Sequence, residues 1–468
     1  MAFIDGSVVT IALPVIQSDF DATFRELQWV VNAYTLMLGS LILVAGALGD
    51  RVGRRRIFAI GITVFALASL ACAVATGSTM LIAARALQGA GAALLVPQSL
   101  AIISASFPRE TRGRAIGFWA AASAVTTALG PPLGGFLIDT LSWRVAFLIN
   151  LPLSVVALWL TIAYLPESRN ERVSGPLDWA GSALAIVSLG ALTYALTEFS
   201  EESSGGRMAL MALVAGCVAL GAFLYAEARA KNPILPAALF SSRAFVVANV
   251  LTIFLYGALA GILFLLPFDL IARRGMAASA VGMTLIPFGL IIGLLSRWSG
   301  MLSDRYGARN FLVGGSLTVA IGAAWMALMI EDFWLGVFAP LIAMALGMAA
   351  VVTPLTTVVM NSAPDAQSGT ASGINNAASR VASLFAVAVL GTIAGLIFSW
   401  KGAPSRAHFG ELPTVGNEMS DALEQAFVAA YSGAMAVAAI WSVLAAASAF
   451  FWLTAKDCAA KPEQALAS

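Results

Sequence analysis

Two side chains of opposite charge stand inside long apolar runs of this chain: Asp5 in the first and Arg85 in the fourth. Counted as helix, Asp5 lies about 18 Å from the end of its run, near the middle of a bilayer core about 30 Å thick. An acid at that depth can take a proton from one side of a membrane and lose it to the other. It could instead receive a cationic solute, or be a hydrogen-bonded acid that fixes helix packing. Arg85 lies about 9 Å from one end of its run. A cation inside a span costs about 2.5–3.5 kcal/mol on insertion scales, so it is expected to be paired, to face a cavity or to reach the interface. As a partner of Asp5 it would modulate the charge of that acid. Asp269 is a weaker coupling candidate, because Arg273 and Arg274 beside it suggest an interfacial ion cluster. Asn32, Tyr34, Trp119, Asn249, Tyr256 and Asn376 could line a central cavity. Trp and Tyr near span ends also serve as interface anchors.

Other chemistry has little to work with. The single histidine is His408, and Cys72, Cys217 and Cys458 lack the spacing of a metal site or redox pair. No GxxxxGK[ST] phosphate loop occurs. Neither an enzyme nor a bound metal or cofactor is expected, and the energy for any work would come from an ion gradient or from the solute.

The elements that must position these side chains follow from composition. Of 468 residues, 60% are hydrophobic and 11% charged, against about 45–50% apolar and about 25% charged in soluble domains. A bilayer accommodates such a chain as helices of about 20 apolar residues each. Apolar runs fall near 1–17, 28–49, 57–76, 79–106, 115–138, 145–165, 179–199, 208–227, 244–270, 279–299, 311–330, 334–360, 373–399 and 425–454, predicting fourteen spans. The first is short for a bilayer, rising about 25 Å, which predicts a start upstream of Met1. No secretory signal is expected, since residues 1–24 hold no Lys or Arg and Asp5 interrupts the apolar opening. The net charge of +1 does not suggest nucleic acid. Lys and Arg are instead distributed by loop: 17 in one alternating set of connections and 7 in the other. The positive-inside rule then puts both termini in the cytoplasm.

The chain also repeats itself. Gly46, Leu48, Asp50, Arg51 and Gly53 recur as Gly300, Leu302, Asp304, Arg305 and Gly307. Pro108, Gly113 and Gly117 recur as Pro364, Gly369 and Gly373. The offsets leave room for two spans between the copies. This predicts a six-helix half at 1–165, an inserted pair at 166–243, and a second six-helix half with a tail at 244–468. Parallel-repeat transporters are built in this way, with the solute site between halves.

These residues resemble the major facilitator superfamily, and within it the fourteen-helix drug:proton antiporter family, over essentially the whole chain. Gly46 to Arg56, including Asp50, Arg51, Gly53 and Arg54, is similar to the superfamily's GxLaDrxGrkxxl loop. By resemblance Asp50 faces the N-terminal end of the span beginning near Ser372 and latches one side shut, with Asp304, Arg305 and Gly307 as the counterpart. The arginines could equally serve only to hold the loop inside. Leu81, Arg85, Gln88, Gly89, Gly91, Ala92 and Ala93 match lxxxRxxqGxgaa. Gly117, Gly130, Pro131, Gly134 and Gly135 fit the exporter-associated gx8Gx3GPx2GG, with Thr126 in place of a glycine. Helix packing alone would also use these small residues. Asp5 to Pro14, Trp143 to Pro152, and Ser372 to Asn376 with Arg380 resemble segments of the fourteen-helix branch.

The resemblance implies an all-α polytopic protein of the bacterial inner membrane, exporting amphipathic drugs or metabolites by alternating access. Protons, a small-molecule substrate and the lipid bilayer would be its partners, and it would work as a monomer. The alternative is a facilitator or proton symporter for a native metabolite.

Overall fold

A computed structural model describes residues 1–169, 179–198, 205–230, 235–363, 368–401, 409 and 418–454. Pro364, His408 and Cys458 lie outside the described residues. Among those described, all regular structure is helical. The first group is α1 (Ala2–Phe20), α2 (Phe24–Val52), α3 (Arg54–Ala73), α4 (Ser78–Ser106), α5 (Arg109–Thr140), α6 (Val145–Leu148) and α7 (Asn150–Tyr164). The inserted segment forms α8 (Trp179–Glu198) and α9 (Gly205–Arg229). After these come α10 (Ala237–Phe240), α11 (Arg243–Pro267), α12 (Ala278–Tyr306), α13 (Ala308–Leu328), α14 (Ala339–Asn361), α15 (Ser368–Trp400) and α16 (Glu418–Trp452). Two π-helical turns, Phe268–Arg273 and Trp334–Phe338, follow α11 and precede α14. Among the described residues, eleven helices are long and apolar enough to cross a membrane, or twelve if α2, bent by 52°, counts as one span.

The turns at the two copies of the repeated loop have the same backbone device. Gly53 between α2 and α3 has φ of 126°, and Gly307 between α12 and α13 has φ of 89°. A side chain is strained in that region, so glycine lets one helix stop and the next begin within a residue. The start of α2 is fixed by a capping box: Thr23 accepts from the Glu26 backbone N–H, and Glu26 accepts from the Thr23 N–H at 2.9 Å.

The helices pack into two compact units. The first comprises residues 1–234, 260–286 and 383–434, and the second 235–259, 287–382 and 435–468. In the first unit, α4 approaches α2 and α3 through glycines. A Cβ on Gly89 would meet the Tyr34 carbonyl, and one on Gly91 the Phe65 backbone. Within the same unit α8 lies along α2, joined by the Arg25–Glu198 ion pair at 2.7 Å and the Trp29–Tyr194 ring contact. Thr392 of α15 donates to the Leu196 carbonyl of α8 at 2.8 Å. Helix α9 packs chiefly on α8, and Met208, Leu210, Met211, Val214 and Val218 on its surface are exposed. In the second unit α11 and α15 run parallel, and Asn375 donates to Thr252 Oγ1 at 2.7 Å and Asn249 Oδ1 at 3.3 Å.

Candidate functional site

The first unit holds a buried polar cluster to which five helices contribute side chains. Asp5 of α1 is 0% exposed and Arg85 of α4 is 2% exposed. One guanidinium nitrogen of Arg85 donates to Asp5 Oδ2 at 2.5 Å and to Gln88 Oε1 at 2.6 Å. Arg85 Nε donates to the Val30 carbonyl of α2 at 3.1 Å, and the guanidinium lies 4.2 Å from the centre of the Tyr34 ring. The other carboxylate oxygen, Asp5 Oδ1, accepts from Gln88 Nε2 at 2.7 Å and from Asn150 Nδ2 of α7 at 3.2 Å. Both amides also donate to Ser69 Oγ of α3, which itself donates to the Phe147 carbonyl at 3.0 Å. Burial of a charge is tolerated when it is paired and its remaining hydrogen-bonding capacity is filled. Both carboxylate oxygens of Asp5 meet that condition, and Arg85 meets it through Nε and one terminal guanidinium nitrogen.

The position of Gln88, three residues after Arg85, explains how one helix supplies two partners for one acid, since residues at i and i+3 share a face. That spacing is readable in the sequence. Asn150 lies in a recognisable segment, but nothing local marks Ser69. Chemically the cluster is a buried ion pair braced by neutral amides.

The remaining expected site residues are distributed as follows. Tyr34 belongs to the Asp5 cluster. Asn32 is fully buried, and neither its side-chain oxygen nor its nitrogen has a partner among the described residues. Asn249 is held in the Asn375 ladder, Tyr256 and Trp119 are half-buried, and Asn376 is exposed. Asp50 accepts two hydrogen bonds from Arg54, at 2.9 and 2.7 Å. Arg54 also donates to the Ala101 carbonyl. Gly46 and Gly49 face Pro97 and Gln98 of α4, and Arg51 is half-buried. Asp304 and Arg305 are exposed in the last turn of α12, with Arg305 near the Tyr306 ring.

On α5, Thr126 is half-buried, and Gly117 and Gly135 are the first and last glycines of the spaced pattern. A Cβ on Gly130 would meet Ser7, and one on Gly134 would meet Val8, both of α1. On the other side of the same helix, a Cβ on Gly135 would meet the backbone of Ala278 in α12, while one on Gly282 would meet the Pro131 carbonyl.

One turn beyond Gly135, Asp139 accepts the backbone N–H groups of Ala278 at 3.0 Å and Ser279 at 2.8 Å. These are donors of the first turn of α12, which have no partner within their own helix. Sequence reasoning had no reason to single out this acid at the end of a span. Partial desolvation works to raise its carboxyl pKa, but hydrogen bonds from Ser279 and from the two backbone N–H groups outweigh it and hold the pKa below the ordinary value. A depressed pKa stabilises the fold above the unfolded value of about 3.9, and the contribution is lost as pH falls through the folded value. Asp139→Ala is expected to lower stability by about 1 kcal/mol at neutral pH. Thermal unfolding of both proteins should show that difference shrinking below about pH 4.

Asp269 is fully buried on the π-helical turn after α11. Arg273 Nε donates to Asp269 Oδ1 at 2.6 Å and Arg274 Nε to Oδ2 at 2.8 Å. The wider turn brings both i+4 and i+5 onto one acid, whereas a regular α-helix would bring only the first. Arg273 also lies 3.6 Å from Glu424. Phe24, Phe264, Phe268, Phe409 and Phe427 form a connected aromatic group in this unit, and Gln17 donates to the Phe409 carbonyl at 3.1 Å.

The sequence profile of the Major Facilitator Superfamily matches residues 1–387 and again 250–464. The chain belongs to that superfamily. The multidrug resistance protein Stp of Mycobacterium tuberculosis is 36% identical over 411 residues, covering 87% of this chain and 75% of Stp. The tetracenomycin C resistance and export protein of Streptomyces glaucescens is 29% identical over 99% of this chain and 91% of its own length. Among solved structures, a bacterial homologue of the human lysosomal transporter Spinster, in an inward-facing and unoccupied conformation, superposes with a TM-score of 0.69 at 17% identity. That match covers 98% of this chain and 96% of the homologue. At that identity the likeness concerns the fold. This major facilitator protein is therefore a multi-pass membrane transporter of the secondary type, acting on small molecules.

Proposed function

We propose that the protein is a proton-driven exporter of amphipathic drugs or metabolites, of the fourteen-helix antiporter branch. It would work as a monomer in the bacterial inner membrane with both termini in the cytoplasm. The observation that carries this reading is the buried Asp5–Arg85 pair, with both acid oxygens engaged. The relatives named for resistance and export support the direction of transport.

In the proposed cycle, protonation of Asp5 from the outer side frees Arg85 from its acid, and loss of the proton to the cytoplasm re-forms the pair. Gln88 and Asn150 hold the carboxylate in register with the guanidinium. Asp139 and the Gly135–Gly282 crossing hold one end of α5 against α12 while the pair is formed. Asp50 and Asp304 act at the loops of the opposite side, and the Asp269 cluster stiffens the turn after α11. No bound cofactor is needed, because one charge moved through about 100 mV supplies roughly 2.3 kcal/mol, or about a fifty-fold gradient.

The test is proton movement in everted vesicles from a strain stripped of its own pumps. Adding an exported compound from a drug panel should release protons from the acidified lumen, and Asp5→Asn should abolish both release and accumulation. Undiminished proton-coupled accumulation by Asp5→Asn would refute the coupling role. Proton movement in the same direction as the solute would indicate a symporter, and movement of solute without protons a facilitator.

A further inference from the structure

Arg380 differs from the other arginine that sits well inside an apolar span. It lies in the continuous helix α15, ten residues after the start of the apolar stretch Thr370–Trp400, or about 15 Å along the axis. It is half-buried. Arg85 has Asp5, but no carboxylate among the described residues lies within ion-pair distance of Arg380. A cation at such depth with no carboxylate beside it among the described residues is expected to face water or a partner from outside the protein.

The neighbouring side chains point to which partner. One turn earlier on the same face is Asn376, which is exposed and donates to the Ser372 carbonyl at 3.2 Å. The adjoining face of α15 is occupied, since Asn375 is bound to Thr252 and Asn249 of α11. The same parallel register, with Thr252 opposite Asn375 and Gly257 beside the Ala382 carbonyl, puts Tyr256 at the height of Arg380. Tyr256 is half-buried and has an apolar body with one polar tip. All of these residues belong to the second unit. They offer a planar guanidinium and a phenol ring at one level of the span, with an amide one turn earlier.

We propose that Arg380, with Asn376 and Tyr256, forms a subsite for the acidic group of an amphipathic organic anion, so that carboxylate-bearing compounds are among the solutes carried. A guanidinium binds a carboxylate through two parallel N–H donors, and lysine cannot reproduce that fork. The apolar body of the solute would lie along the Tyr256 ring. This deepens the export reading, on which it rests for the direction of movement.

Fusidic acid, an amphipathic carboxylate, and its methyl ester test the subsite as a matched pair. Cellular accumulation of each is measured by mass spectrometry in a pump-stripped strain carrying wild type, Arg380→Gln or Arg380→Lys. Wild type is expected to lower accumulation of the acid. Arg380→Gln should lose about tenfold or more of the acid export, the size of effect expected when a charged hydrogen-bonding partner is removed from a binding site. Ester export should be retained, and Arg380→Lys should be intermediate. Equal loss of both compounds in Arg380→Gln, or unchanged export of the acid, overturns the subsite.

A lipid headgroup could supply the same anionic chemistry. In proteoliposomes, a defect of Arg380→Gln that appears only when phosphatidylglycerol is present assigns the cation to lipid and overturns the proposal. The same defect in phosphatidylcholine alone supports it. A wild type that exports the ester but not the acid removes the subsite and leaves the export reading standing. The proton-flux test judges that reading separately.

Discussion

Arg85→Gln, with Asp5 left in place, is expected to be the most damaging single substitution in the protein. Asp5 would keep its charge in a fully buried position and lose the guanidinium paired with it. Removing one partner of a buried ion pair typically costs about 3–5 kcal/mol, because the remaining charge is uncompensated. Gln88 and Asn150 would still donate to Asp5 Oδ1, so the loss should fall toward the lower end of that range. Transport should be abolished. The double variant Asp5→Asn/Arg85→Gln should recover most of the lost stability, since two neutral amides can hydrogen-bond where two charges stood, yet remain inactive. Unfolding midpoints of the four proteins in detergent give the coupling energy directly. Additive losses would mean that the pair is not energetically coupled, and an active double variant would remove it from the mechanism.

The second large effect is expected at Gly135. A methyl group there would press on the carbonyl of Ala278 and the Cα of Ser279, and the reciprocal position, Gly282, presses on Pro131 and Pro132. Both obstacles are backbone, which cannot rotate away as the end of a side chain can. Gly135→Val should therefore force α5 and α12 apart and pull Asp139 from the first turn of α12. Overpacking of this kind costs about 1–3 kcal/mol. Since the protein would still insert, the clearer readout is conformational. A cysteine introduced at Ser279, with Cys217 replaced by serine, should react faster with a membrane-impermeant maleimide in Gly135→Val than in the parent, and export should fall to background. Gly221→Ala serves as the control, because a Cβ at that position of α9 meets nothing within 4 Å. Equal labelling rates would show that the crossing does not hold this end closed.

Much of this was legible in the sequence where a single residue breaks a strong local pattern. An acid and an arginine within apolar runs each need a partner and could be read as each other's, and in the structure they lie within ion-pair distance. The repeated loop was legible because positive φ requires glycine at Gly53 and again at Gly307. What escaped depends on register between segments far apart in the chain. Ser69 is one of many serines in apolar helices, and only the packing of α3 against α4 and α7 makes it the acceptor for two amides. Asp139 reads as an ordinary end-of-span acid until α12 is placed beside it.

Asp269 shows a third kind of limit. Its two arginine neighbours were visible, and they suggested an ion cluster at an interface. The π-helical turn and the aromatic residues that make it a buried triad are set by tertiary structure. For Asp50 the family resemblance implied a helix N-terminus as partner. Within its own unit Asp50 also accepts from Arg54, which the tight turn at Gly53 brings back onto the acid.

The way α8 and α9 are attached has a practical consequence. Helix α8 is stitched to the body by the Arg25–Glu198 pair, the Trp29–Tyr194 contact and the Thr392 hydrogen bond, whereas α9 packs chiefly on α8. The outward surface of α9 is therefore a handle. Fluorophores, spin labels or crosslinkers attached at Met211, Val214 or Val218 should report on the transporter while leaving its cycle intact, and a homologue's α9 could be grafted in without redesigning the rest.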